Sequence, residues 1–346
     1  MESLKIREGM LLGMGNPLLD ISAIVEEDFL KKYEMKPNDA ILASELHKNL
    51  YSELVNSYNA DFIAGGSVQN ALRVCQWILD KPNVTTFFGC VGNDNYSKIL
   101  ENKARSNGVN VQYQYTEKEP TGTCAVLLTG QNRSLCANLA AANCFTLDHI
   151  RKPENKEFIE KASYYYVSGF FLTVSPESII EVAQYAHSQN RPFLMNLSAP
   201  FISQFFKEPL MKTMPYVDIL FGNETEAATF ATEQSFGTQN LKEIALKICQ
   251  LPKQNENRPR VCIITTGDQP VLLAKNGKVI EFPAIDLEKS KIVDTNGAGD
   301  AFVGGFLAQY ILEQPLDVCI KCGIWTATEI IQRSGCTYEG KAGFKP

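Results

Sequence analysis

Asp294-Thr295-Asn296-Gly297-Ala298-Gly299-Asp300 runs directly into the apolar stretch Ala301-Phe302-Val303-Gly304-Gly305-Phe306-Leu307. Glycines at 297 and 299 allow a sharp turn and a close approach of backbone N–H groups to an anion. A helix that starts there adds unpaired N–H donors and the positive end of its dipole. Asp300 then stands as a base beside a site built for negative charge, a combination suited to phosphoryl transfer onto a hydroxyl. The competing reading is a plain helix cap, since Asp and Gly precede many helices. A loop of this kind belongs at the carboxyl ends of strands in an α/β sheet.

The rest of the chain supplies such strands. Met10–Gly13, Thr86–Gly89, Tyr164–Val167, Phe193–Asn196, Asp218–Phe221 and Val261–Ile264 are short apolar runs. Each reads as a strand buried on both faces, as in a mostly parallel sheet. Val68, Ala71, Leu72, Cys75 and Leu79 repeat at helical spacing, and Ser175-Pro176 reads as an N-cap and first turn for Glu177 to His187. The alternation predicts an α/β fold of three layers around a mostly parallel central sheet. Residues 16–66 and 112–142 break the rhythm. In the second, Cys124 to Leu128 and Leu135 to Leu139 read as antiparallel strands joined through Thr129-Gly130-Gln131-Asn132-Arg133. The expectation is one unit over 1–346 with a discontinuous β-rich lid drawn from about 16–66 and 112–142. There is no internal repeat or low-complexity tract.

Composition narrows the function classes. The 346 residues are 45% hydrophobic and 21% charged, as in ordinary globular proteins. A net charge of −6 without a block of basic residues gives no electrostatic case for nucleic acid or an acidic membrane. Met1 to Glu8 has no apolar signal core, and no run reaches eighteen apolar residues. The expected location is the cytoplasm, with a nuclear pool, and the expected state a monomer. Ten cysteines scattered through apolar segments read as reduced, buried small hydrophobes. Cys319 and Cys322 read as one helical face, with no second pair to make a metal site.

Other segments read in two ways. Ala64-Gly65-Gly66-Ser67-Val68-Gln69-Asn70 opens a helix; its glycines let a hydroxyl reach the backbone, or simply make a loop junction. Asp20, after Gly13-Met14-Gly15-Asn16-Pro17-Leu18, could accept from a sugar diol or sit in a turn. The missing third glycine at Leu18 disfavours a dinucleotide fingerprint. Asn223-Glu224-Thr225-Glu226 either orients Mg²⁺ and water through Glu226 or places acids at a helix start. Gly335 to Ala342 is not a P-loop, because Ala342 lacks the metal-binding hydroxyl. His47, His149 and His187 match no metal or triad spacing.

In this order, the double-glycine segment and Asp-Thr-x-Gly-Ala-Gly-Asp resemble the two signatures of the ribokinase-like carbohydrate and nucleoside kinase family. Gly13 to Ser22, Gly169 to Ser178, Asn196 to Phe205 and Pro215 to Ala227 are similar to its adenosine-phosphorylating members. The resemblance implies a ribokinase-like fold and ATP-dependent, Mg²⁺-assisted phosphorylation of the adenosine 5′-hydroxyl, giving AMP and ADP in purine salvage. It implies Asp300 as base, an anion hole at Gly297, Ala298 and Gly299, and Arg133 near the transferring phosphate. Asn16, Asp20, Gly65, Gly66, Ser67 and Asn70 would meet the ribose. Leu18, Cys124, Leu135, Ala137, Phe171, Asn196, Phe201 and Asn296 would complete the substrate pocket. Asn223, Thr265, Gly267, Gly297 and Gly299 would face ATP, with Glu226 on the metal. By the same resemblance Lys289 and Ile324 stand where glutamine and histidine border the ATP base, and Ala40 where a longer polar residue is common. A free-sugar kinase of this family and a silent nucleotide sensor are the alternatives.

Overall fold

The computed structural model describes residues 6–130 and 132–345. Met1 to Lys5 of the N-terminal reading and Gln131 of the expected lid turn lie outside the described residues. The strands form two sheets. The larger runs in the order Lys278–Phe282, Val271–Lys275, Val261–Thr265, Ile219–Asn223, Phe193–Asn196, Tyr164–Ser168, Leu11–Met14, Thr85–Gly92, Asn110–Thr116. Pairing is parallel from Val261–Thr265 to Asn110–Thr116, and the two strands beyond Val261–Thr265 add an antiparallel edge. All six apolar runs singled out above lie on parallel strands of this sheet.

Burial on both faces makes the layers. Along Tyr164–Ser168, Tyr164 and Tyr166 join one hydrophobic cluster and Tyr165 and Val167 the other, as the two-residue period of a strand requires. Helices Ser67–Leu79, Ala298–Ile311 and Leu316–Ile330 cover the first face; Pro176–Ser188, Glu224–Glu233 and Leu241–Gln250 cover the second. Ser175 does precede its helix, but its hydroxyl bonds Glu177 and Ser178 instead of a backbone N–H. Ser67–Leu79 and Ala298–Ile311 touch backbone to backbone: a Cβ at Gly304 would lie 2.5 Å from the Ala71 carbonyl oxygen. That close approach brings the starts of the two helices together.

The smaller sheet runs Ala40–Leu42, Asn132–Asn138, Thr123–Thr129, Leu18–Ile24, Asp61–Gly65. Thr123–Thr129 and Asn132–Asn138 pair antiparallel, with Val126 opposite Leu135. Asn110–Thr116 belongs instead to the larger sheet, so the second segment of the small sheet starts at Thr123, later than residue 112. One face of the small sheet buries Ile21, Ala125, Leu127 and Cys136 under Phe29, Leu30, Leu50 and Leu54. The other turns Leu18, Cys124 and Val126 toward the body. The ten cysteines are free thiols, buried or half-buried. No helix of the described residues is long and apolar enough to cross a membrane.

Candidate active site

A cavity of about 230 Å³ opens between the two sheets, walled by both. Asp300, in the first turn of Ala298–Ile311, forms part of its floor. Its Oδ1 accepts from the Ser67 hydroxyl at 2.7 Å and its Oδ2 from the Asn70 amide at 3.1 Å. Burial pushes the Asp300 carboxyl up to about 6, against the pull of those two hydrogen bonds. The double-glycine helix therefore grips the carboxylate supplied by the second motif.

Gly297 is left-handed, at φ +75°, and ends the loop. The Ala298 N–H turns back to the Thr295 carbonyl at 3.3 Å, while those of Gly299 and Asp300 have no acceptor among the described residues. The N–H of Gly297 likewise has no acceptor among the described residues, so the free donors lie at 297, 299 and 300, while Ala298, expected among them, closes the turn. Asp294 braces the loop. It accepts from the N–H groups of Asn296 and Gly335, each at 2.6 Å, and pairs with Arg133.

The two glycines before Ser67 make room. A side chain at Gly65 would collide with the Asp20 carboxylate, and one at Gly66, where φ is +94°, with the Asn16 carbonyl. Asp20 borders the cavity, and its carboxyl is pushed up to about 7, first by burial and second by Asp300, with Arg133, Arg73 and Asn296 opposing. Asn16 donates to the Phe170 carbonyl at 3.4 Å, and its Oδ1 is buried without a partner. A buried acceptor on a cavity wall calls for a donor from water or a ligand.

Leu18, Cys124, Leu135, Ala137 and Phe201 form the apolar wall, with Asn196 and Asn296 at its polar end. Phe170 joins them, its ring 6.1 Å from that of Phe201. Phe171, the expected wall residue, is instead fully buried against Phe145. The segment Gly169–Thr173 is a 3₁₀ turn, so adjacent phenylalanines point in different directions. Ala40, Ile41, Leu42, Leu139, Ser168, Thr173 and Ser198 also contribute. Of these only Ala40 stood out in the sequence; Ala40–Leu42 is too short a strand for periodicity to register.

Glu226 stands at a helix start, as one of its two readings has it. Its N–H and carboxylate close a capping box with Asn223, at 2.8 and 3.0 Å, while its side chain reaches the cavity. Its carboxyl is pushed up to about 7, by burial first. The described residues contain no cluster of three or more His, Cys, Asp or Glu able to hold a metal unaided. One buried carboxylate beside an anion loop fits Mg²⁺, which keeps much of its water and takes its other ligands from phosphates. Asn223 is occupied as a cap, and Thr265 and Gly267 lie at a strand end outside the cavity. Gly65 lies behind Asp20, also outside it. Arg133 is across the loop in a second cavity of about 770 Å³, with Lys289 and Asp294; its Nε and Nη2 are buried without partners.

Comparison with known proteins gives a consistent answer. A family model for pfkB family carbohydrate kinases matches residues 30–341. The chain is 51% identical over 337 residues to adenosine kinase 2 of Arabidopsis thaliana, covering 97% of this chain and 98% of that one. Among solved structures it is similar to Anopheles gambiae adenosine kinase in complex with P1,P4-di(adenosine-5) tetraphosphate: TM-score 0.96, 60% identity, 98% and 100% coverage. Schistosoma mansoni adenosine kinase in complex with 2-fluoroadenosine follows, with TM-score 0.94, 34% identity and 97% and 99% coverage.

Proposed function

The chain belongs to the pfkB family of carbohydrate kinases, and from that premise we propose that it transfers the terminal phosphoryl group of ATP to the 5′-hydroxyl of adenosine, releasing AMP and ADP. The observation that carries this reading is the buried Asp300, held by Ser67 and Asn70 beside the unpaired N–H groups of a helix start.

Phosphoryl transfer has a loose transition state, so positioning and charge stabilisation outweigh early activation of the nucleophile. Asp300 takes the 5′-hydroxyl proton as the new phosphorus–oxygen bond forms. With its carboxyl near 6 it is ionised at neutral pH, yet is a better proton acceptor than an ordinary aspartate. The N–H groups of Gly297, Gly299 and Asp300, with the helix dipole, face the phosphoryl oxygens. Mg²⁺, when bound, neutralises phosphate charge, and Glu226 is the residue placed to orient its water shell. Asp20 accepts from the ribose diol, and the unpartnered Asn16 Oδ1 is a second acceptor there. Apolar and aromatic walls from Leu18 to Phe201 favour a nucleoside base over a free sugar. Arg133 reaches the phosphate from across the loop once its pairing with Asp294 opens. Asn223, Thr265 and Gly267 belong to the ATP side.

The chain acts as one unit with the small sheet as lid, as a monomer of the cytoplasm and nucleus, without nucleic-acid partners. Light scattering on the eluted protein and cell fractionation test those assignments. ADP release measured with adenosine, ribose and no acceptor tests the reaction: release with adenosine alone supports it. Equal release with ribose would transfer the assignment to a sugar kinase, and release with neither to a nucleotide sensor.

A further inference from the structure

Asn70 lies one helical turn from Arg73 in Ser67–Leu79, and Arg73 is almost fully buried, at 1% exposure. Its Nη1 donates to the Asn70 Oδ1 at 3.2 Å and to the Ala64 carbonyl at 3.1 Å; its Nε donates to the Asn107 Oδ1 at 2.9 Å. The Tyr338 hydroxyl bonds the Arg73 carbonyl at 2.8 Å, and the Tyr338 ring lies 5.9 Å from the guanidinium. A buried arginine held at this many points costs desolvation that an apolar residue would avoid. In an amphipathic helix it has no packing reason to be there.

An asparagine amide has two nearly isosteric ends, one accepting and one donating. A guanidinium only donates, so the Asn70 oxygen must face Arg73 and the Asn70 NH₂ must face Asp300. With the amide reversed, an oxygen would confront the Asp300 carboxylate, and that carboxylate would lose one of its two donors. We propose that Arg73 is a positioning residue for phosphoryl transfer: it fixes the orientation of the Asn70 amide, which in turn aims the Asp300 carboxylate at the acceptor hydroxyl. Arg73 itself touches no substrate. The same guanidinium also holds the Ala64 carbonyl, immediately before Gly65, whose missing side chain leaves room for Asp20. Trp77 and Tyr338, stacked at 4.8 Å, close the C-terminal segment over this helix.

The proposal rests on the adenosine-phosphorylating reading for its kinetic test, but not for its spectroscopic one. In ADP-release assays Arg73→Met lowers kcat by ~10-fold or more, toward the ~10²-fold that misplacement of a reacting group can cost, with a smaller change in the KM for adenosine. Arg73→Lys, which keeps the charge and a donor, restores most of kcat. Because Arg73 acts through Asn70, adding Arg73→Met to Asn70→Ala costs little more than Asn70→Ala alone. Additive losses, or a rise in KM with kcat unchanged, overturn the proposal. Independently of any reaction, protein labelled with ¹⁵N-asparagine shows slowly exchanging Asn70 side-chain protons, assigned by their loss in Asn70→Ala. These protons exchange faster in Arg73→Met; should that variant not fold, Arg73→Gln, whose amide can either donate or accept and so no longer fixes the Asn70 oxygen toward it, must show the acceleration. Unchanged exchange overturns the proposal. If the wild-type protein releases no ADP with adenosine, the functional reading fails while the exchange experiment still decides the role of Arg73.

Discussion

At the scale of single residues the site depends on carboxylates kept where water cannot easily solvate them. Asp300→Asn preserves shape and removes the proton acceptor, so kcat falls by at least ~10²-fold while adenosine still binds, checked by turnover assays and calorimetry. Unchanged turnover would remove Asp300 from its role. With Asp300 raised to about 6 and Asp20 to about 7, the acidic fall in kcat/KM is centred near those values, well above the range of an ordinary aspartate. The limb belongs to the interacting pair and not to one residue. The same shifts act on stability. The folded state binds these protons more tightly than the unfolded chain, so their contribution is full below about 4 and is lost as pH rises through 6 and 7. Asp20→Asn therefore raises Tm relative to wild type by roughly 2 °C or more at pH 8, and by less at pH 5, in calorimetric scans. It also loses selectivity for ribose over 2′-deoxyribose substrates. An equal Tm difference at both pH values would show that Asp20 is not held against its preference.

At the scale of elements, two helix starts and one strand end make the acceptor site, and glycines decide how closely they meet. Gly66→Ala puts a Cβ against the Asn16 carbonyl in a conformation that L-residues rarely adopt. It destabilises the protein by ~1–3 kcal/mol and raises the adenosine KM, as denaturant titration and steady-state assays will register. A variant with wild-type stability would mean that the loop has room to relax. This scale also shows what was legible beforehand. Tyr164 to Val167 and Val261 to Ile264 are unbroken apolar runs because both faces of a parallel strand are covered, and such runs stand out in any sequence. The strand Asp61–Gly65 carries an exposed Asp61 and Phe62 and a buried Ala64, a pattern without clear alternation. Motif spacing brought Asp20, Gly66, Asn70 and Asp300 to one cavity. Neither the choice between Phe170 and Phe171 nor the free N–H at Asp300 could be read, because a 3₁₀ turn and a loop hydrogen bond leave no periodic trace. Arg73 was equally hidden: an arginine in an amphipathic helix ordinarily reads as solvent-facing.

At the scale of the whole molecule, the cavity lies between a large body with two extensive cores and a small sheet with a modest core of its own. The small-sheet core around Ile21, Phe29, Leu54 and Leu127 is separate from the clusters flanking the large sheet. A unit with fewer buried apolar contacts opens at lower free energy than the strands of the main core. In the proposed reaction adenosine would bridge the two, because the cavity is lined by Leu18, Cys124 and Leu135 on one side and by Asn196 and Asp300 on the other. Its binding energy then appears as stabilisation of the arrangement in which the sheets face each other. At ~100 times Kd that stabilisation reaches ~2.7 kcal/mol, equivalent to a ~100-fold slowing of any opening that must release the ligand. Hydrogen exchange followed by mass spectrometry should therefore slow by up to that factor in Leu18–Ile24, Thr123–Thr129 and Asn132–Asn138 when adenosine is added. Phe193–Asn196 and Ile219–Asn223, whose slowest amides report opening of the body itself, should change far less. Equal protection throughout would mean that both sheets open as one cooperative unit, and no protection in the small sheet would mean that it does not close over the nucleoside. Either result would remove the lid from the mechanism and leave the exclusion of water to the cavity walls alone.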